Sequence, residues 1–69
     1  MEPVKLYTTE PVNFRTGPGI QYAVICELPY GAEVIKLGVS DKWYFVRYGD
    51  QLGYVFMEYL SYVNAALVP

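Results

Sequence analysis

Sixty-nine residues with no histidine and a single cysteine, Cys26, leave few routes to covalent chemistry. A serine or cysteine nucleophile needs a neighbouring base to take its proton, and neither a Ser-His nor a Cys-His pair can be assembled here. Cys26 lies in an alternating apolar run, which marks it as a packing residue rather than a reactive thiol. Glu10, Glu27, Glu33, Asp41, Asp50 and Glu58 supply the residue type, paired carboxylates, that glycoside hydrolases use. A domain this small encloses little volume from which to exclude water, so no catalytic residue is assigned and the chain reads as a non-enzyme. The same carboxylates lack the spacing of a calcium-binding loop, and neither a metal nor a cofactor is expected.

Charge narrows the partners further. The five basic residues, Lys5, Arg15, Lys36, Lys42 and Arg47, are scattered along a chain of net charge −2. A nucleic-acid partner normally calls for a clustered basic stripe, so none is expected. What remains is non-covalent recognition, and here the chain is well supplied, with eight Tyr, three Phe and one Trp. A large ring buries roughly 150 to 250 Å². Twelve of them exceed what one small core can take, and the surplus on the surface is material for a binding face.

These residues must be positioned by short strands. Turn formers recur at Pro11, Gly17-Pro18-Gly19, Pro29-Tyr30-Gly31, Gly38, Ser40-Asp41-Lys42 and Gly49-Asp50. The runs between them hold only four to seven residues, rich in Val, Ile, Tyr, Phe and Trp, which suit a pleated, half-buried surface. Val4–Thr8 and residues 23–28 read as strands, with Val24, Cys26 and Leu28 at alternate positions toward the core. Residues 33–37 form a third strand whose orientation stays open, because Val34, Ile35 and Leu37 place apolar groups on both faces. Trp43–Tyr48 sets Tyr44, Val46 and Tyr48 on one face and Trp43, Phe45 and Arg47 on the other. Gly49-Asp50 then makes a tight hairpin to Gln51–Phe56, Met57–Tyr59 is long enough for one helical turn, and residues 60–63 close as a last strand. The expectation is an all-β fold of five to six short antiparallel strands with a helical turn near Met57 to Tyr59. Closure into a barrel is the economical way for so short a chain to remove exposed sheet edges.

The order of residues resembles a known family. Val12-Asn13-Phe14-Arg15-Thr16-Gly17-Pro18-Gly19 is similar to the LNVRSGPG segment of bacterial Src-homology-3 domains, and Tyr22-Ala23-Val24-Ile25 to their YPVI. Leu28-Pro29-Tyr30-Gly31-Ala32-Glu33-Val34 resembles LPKGTKV, and Trp43-Tyr44-Phe45-Val46-Arg47-Tyr48 resembles WYKVRY. Gly53-Tyr54-Val55 and Tyr59-Leu60 resemble the closing GWV and YL. The resemblance runs from about Lys5 to Val63 and implies a small SH3-like barrel over residues 1–63, with residues 64–69 as a tail. Leu67-Val68-Pro69 resembles the start of a thrombin-cleavable expression tag, so residues 65–69 are set aside. Beside the resemblance, Asn13 is placed to hydrogen-bond local backbone, and Gly17 and Gly19 let the long loop bend around Pro18. Phe14 stands where Val is common, Tyr54 where Trp is common, and Phe45 where Lys or Arg is usual.

The resemblance implies a non-catalytic module that tethers a parent cell-wall hydrolase or envelope protein to peptidoglycan by its cross-bridge or stem peptide. Localisation to the cell envelope or the extracellular space follows as an expectation. Met1 is followed by Glu2-Pro3 rather than by a basic and then apolar leader, and no apolar run approaches the roughly 18 residues of a membrane span. An extended peptide poor in side chains is read by flat aromatic walls and a few hydrogen-bonding groups. The long loop over residues 15–22 and the hairpin face are expected to supply them. Tyr22, Trp43 and Tyr54 are the expected walls, Tyr30 and Tyr59 additions, and Thr16 a polar contact. The alternative is a protein-interaction module for an extended or Pro-rich peptide, although the ALYDY segment and acidic loop of the eukaryotic relatives are missing. Phe45 and Phe56 add an apolar patch suited to a homodimer or to a neighbouring domain.

Overall fold

The computed structural model describes residues 3–64. These residues form seven strands: β1 (Val4–Thr8), β2 (Val12–Arg15), β3 (Val24–Leu28), β4 (Glu33–Ser40), β5 (Trp43–Tyr48), β6 (Gln51–Phe56) and β7 (Leu60–Ser61), with one 3-10 turn at Met57–Tyr59. All pairings are antiparallel, in the order β3-β2-β6-β5-β4-β1-β7. Three connections, β1 to β2, β3 to β4 and β6 to β7, each join strands four places apart in that order. In a flat sheet those strands would lie about 19 Å apart, at about 4.8 Å per place. The linkers are residues 9–11, residues 29–32 and Met57–Tyr59. Stretched out they would span about 13 to 18 Å, and two of them are wound into turns, with the Ala32 N–H donating to the Pro29 carbonyl at 3.2 Å. The sheet therefore has to roll up, and the result is the small SH3-like barrel expected.

Inward-facing residues of six strands meet in one core. Leu6, Val12, Phe14, Leu28, Ala32, Val34, Val46 and Val55 are buried, with Tyr44, Tyr48 and Cys26 packed against them. Phe14 is the largest fully buried side chain, its ring edge-on to Tyr48 at 6.2 Å. Room for it comes from Gly53 on β6, where a methyl group would lie 2.8 Å from the Phe14 ring and 2.7 Å from the Arg15 carbonyl oxygen. A large ring over a missing side chain fills the interior to normal density. The one buried polar side chain among the described residues, Thr8, is paired on both sides. Its hydroxyl donates to the Pro29 carbonyl at 2.5 Å and accepts from the Ala32 N–H at 2.9 Å, which pins the end of β1 to the β3–β4 turn.

Four local expectations need correction. The strand count is seven because residues 12–15 form β2, alternating buried and exposed between Pro11 and the Gly-rich loop. Asn13 is thus on a strand, paired with Glu27, and its side chain bonds no backbone group. Val24 does not face the core: Phe14 pairs with Cys26 but Arg15 with Val24, so Ile25 is an extra residue. That bulge flips the alternation, leaving Val24 exposed while Leu28 is fully buried. Finally, Gly38 does not end a strand. The register shifts between Lys36 and Gly38, which absorbs Leu37 as a second bulge and lets β4 run to Ser40. The open question of its orientation resolves with Val34 inward, opposite Leu6.

The hairpin turn behaves as read, with Gly49 at φ +60 between β5 and β6. Among the described residues no helix is long and apolar enough to cross a membrane. Asn64, the last described residue, reaches the Gly31 carbonyl with its amide at 3.5 Å, and the suspected tag at residues 65–69 lies outside the described residues.

Candidate ligand-binding groove

The β5–β6 register determines which rings meet on the outside of the barrel. Directly opposed residues share a face, so Trp43 stands beside Phe56, Phe45 beside Tyr54 and Arg47 beside Leu52. Trp43 and Phe56 pack edge to face at 5.3 Å and 68°, and Phe56 meets Tyr59 at 5.8 Å and 55°. Such pairs contribute about 0.5 to 1.5 kcal/mol beyond their area. Here they also form a corner, because the 3-10 turn carries Tyr59 out of the plane of the sheet. Two backbone bonds hold that corner: Met57 N–H to the Lys42 carbonyl, and Thr9 N–H to the Tyr59 carbonyl, each 2.9 Å. The second places Tyr59 against the connection that carries Glu10 and Pro11.

The opposite wall is the loop between β2 and β3. Arg15, half-buried, donates from Nη1 to the carbonyls of Ile20 at 3.1 Å and Tyr22 at 3.0 Å. Thr16 N–H bonds the Ala23 carbonyl at 2.9 Å and Gly19 N–H the Gly17 carbonyl at 2.9 Å, so the loop is tied at its base and along its length. The Tyr22 ring lies directly over Gly17, leaving no space for a methyl group there. Gly17 is glycine because a ring occupies the place of its side chain. The loop thus holds Ile20, 80% exposed, at its tip.

Between corner and loop lies a groove of about 400 Å³, lined by Glu10, Pro11, Val12, Asn13, Arg15, Ile20, Trp43, Phe56 and Tyr59. That volume falls within the range of small-ligand clefts. Of the residues expected to bind, Trp43 and Tyr59 line it. Thr16 and Tyr22 sit on the loop that forms its wall, without lining it. Tyr54 lies one register step away on the same outer face, 5.1 Å from Phe45 and paired with Arg15. Tyr30 is on the β3–β4 turn, exposed and apart from the groove lining.

Sequence reasoning passed over Glu10, Pro11, Val12 and Asn13 as lining residues, included Arg15 and Ile20 only within the loop over residues 15–22, and took Phe56 as part of an apolar patch. The signal available was the outward position of Asn13 and Arg15 once residues 12–15 are read as a strand. Phe45 and Phe56 themselves are half-buried, each partly covered by the rings beside it. Among the described residues no three or more His, Cys, Asp or Glu converge as metal ligands would.

Comparison with known proteins agrees with the fold. An uncharacterised protein, YraJ, of Bacillus subtilis (strain 168) is 32% identical, with 74% of this chain and 53% of that protein covered. The chain therefore spans about half the length of the curated relative it matches. The profile of the bacterial SH3 domain matches residues 10–61, from Glu10 at the groove through the last strand. The chain belongs to the bacterial SH3 domain family.

Proposed function

We propose that this domain is a non-catalytic binding module that targets a longer parent protein, a wall hydrolase or another envelope protein, to a peptidoglycan peptide outside the cytoplasm. The groove carries the reading: three rings set at angles to one another, with polar groups interleaved, on the outer face of a barrel whose interior is filled. Trp43 and Tyr59 serve as walls, while Tyr22 and Thr16 act through the loop beside them. Tyr54 extends the face beyond the groove, and Tyr30 offers a second contact on the β3–β4 turn. The groove's charged lining is one carboxylate, Glu10, and one guanidinium, Arg15, rather than a pair of carboxylates of the glycosidase kind.

The test is sedimentation of the purified domain with intact sacculi from several bacteria. Loss of binding in Trp43→Ala and Tyr59→Ala supports the reading, and Tyr54→Ala reports whether the ligand extends along the hairpin. Failure to bind any sacculus would move the assignment to a protein-interaction module. Phe56 bears on that choice, because a homodimer through Phe45 and Phe56 would cover part of the groove. Wall ligand and dimer would then compete, which analytical ultracentrifugation with and without ligand detects.

A further inference from the structure

The groove has a direction. Glu10, Pro11, Val12, Asn13 and Arg15 line it in chain order, so it runs along β2, with an acid where the β1–β2 connection enters and a guanidinium at the far end. Five residue steps separate Glu10 from Arg15, a distance of at most about 18 Å, which an extended peptide of about five residues can span.

The two charges differ in availability. Arg15 is half-buried and commits Nη1 to two loop carbonyls. Glu10 is exposed, and its carboxylate bonds no described residue. The side-chain amide of Asn13, between them, and the indole N–H of Trp43 likewise have no partner among the described residues. The Glu10 end is also the aromatic end, since the Thr9 N–H bond to the Tyr59 carbonyl sets that ring's turn beside Glu10. A carboxylate next to aromatic faces is a setting that favours an ammonium group, through charge pairing and ring quadrupoles together.

Resting on the wall-peptide reading above, we propose that the groove selects peptides with a free primary amine, seated at Glu10 beside the Tyr59 ring. The peptide backbone then runs past Asn13 toward Arg15, whose remaining N–H groups meet a carbonyl or carboxylate. Amine-bearing peptides bind in one polarity, and blocking the amine removes the charge that Glu10 recognises.

The probe is an extended five-residue Gly/Ala peptide made in four forms, with the amine free or acetylated and the carboxyl free or amidated. Trp43 is the single tryptophan and lines the groove, so its fluorescence reports occupancy, with calorimetry as a second measure. The free-amine forms are expected to bind about five- to tenfold more tightly than the acetylated forms. In Glu10→Gln that preference should shrink to less than about twofold, with affinity for the acetylated forms unchanged. Equal binding of free and acetylated peptides by the unaltered domain, equal weakening of all four by Glu10→Gln, or no binding of any form at millimolar concentration would each overturn the proposal. Sacculus sedimentation in parallel separates the two readings. Binding that Glu10→Gln leaves intact sinks the amine preference and keeps wall targeting, whereas absence of sacculus binding sinks both.

Discussion

Gly53 is the position where packing leaves least room, and Gly53→Ala tests whether the Phe14 ring and the Arg15 backbone are as close as described. An added methyl would meet the Arg15 carbonyl oxygen at 2.7 Å and the Phe14 ring at 2.8 Å. Both neighbours are constrained: Phe14 is fully buried, and Arg15 is paired to Tyr54 across the strands. Overpacking of this kind costs about 1 to 3 kcal/mol, and a backbone neighbour places it toward the upper figure. The lost freedom of the unfolded chain returns about 0.4 to 1 kcal/mol. A net loss of about 2 kcal/mol lowers the melting temperature by roughly 8 to 16 °C in a domain of this size. Gly38→Ala is the matched control, because the nearest atom to its added methyl is the Phe45 Cβ at an ordinary 3.8 Å. It should be neutral or up to about 1 kcal/mol more stable. Thermal melts followed by circular dichroism compare the two directly. Equal melting temperatures for the two variants would refute the packing argument.

Other predictions follow from single contacts. Thr8→Val keeps the shape but removes the hydroxyl that links Pro29 and Ala32, and should cost about 1 to 2 kcal/mol in urea unfolding, with the slope unchanged. Arg15→Met keeps the aliphatic stem and loses both loop bonds, so amide hydrogen exchange over residues 16–22 should speed up about fivefold with little change in global stability. Trp43→Ala should leave the domain folded, since Trp43 is only half-buried on the outer face, and should weaken sacculus binding at least about tenfold. Unfolding of that variant would instead assign Trp43 to stability.

The all-β class, the β5–β6 hairpin and most strand limits were legible in the residues because each depends on neighbours close in sequence. Alternation in Trp43–Tyr48 and the positive φ of Gly49 are local properties, and they hold in the barrel. The absence of histidine, the lone Cys26 and the surplus of rings made recognition the expectation before any fold was known. Periodicity failed at Val24 and Leu37, where bulges at Ile25 and Leu37 insert one residue. A bulge is decided by what the partner strand needs, and one strand's sequence does not carry that information. The groove lay further out of reach for the same reason. Trp43 and Phe56 are joined by a hairpin and could be paired from sequence, but Tyr59 meets Glu10 through a bond from Thr9, some fifty residues earlier in the chain. Rolling the sheet brings those segments together, because three short linkers must each cross four strand places. Composition supplied more rings than one small core can hold, and closure of the barrel decided which of those rings and charges share one groove.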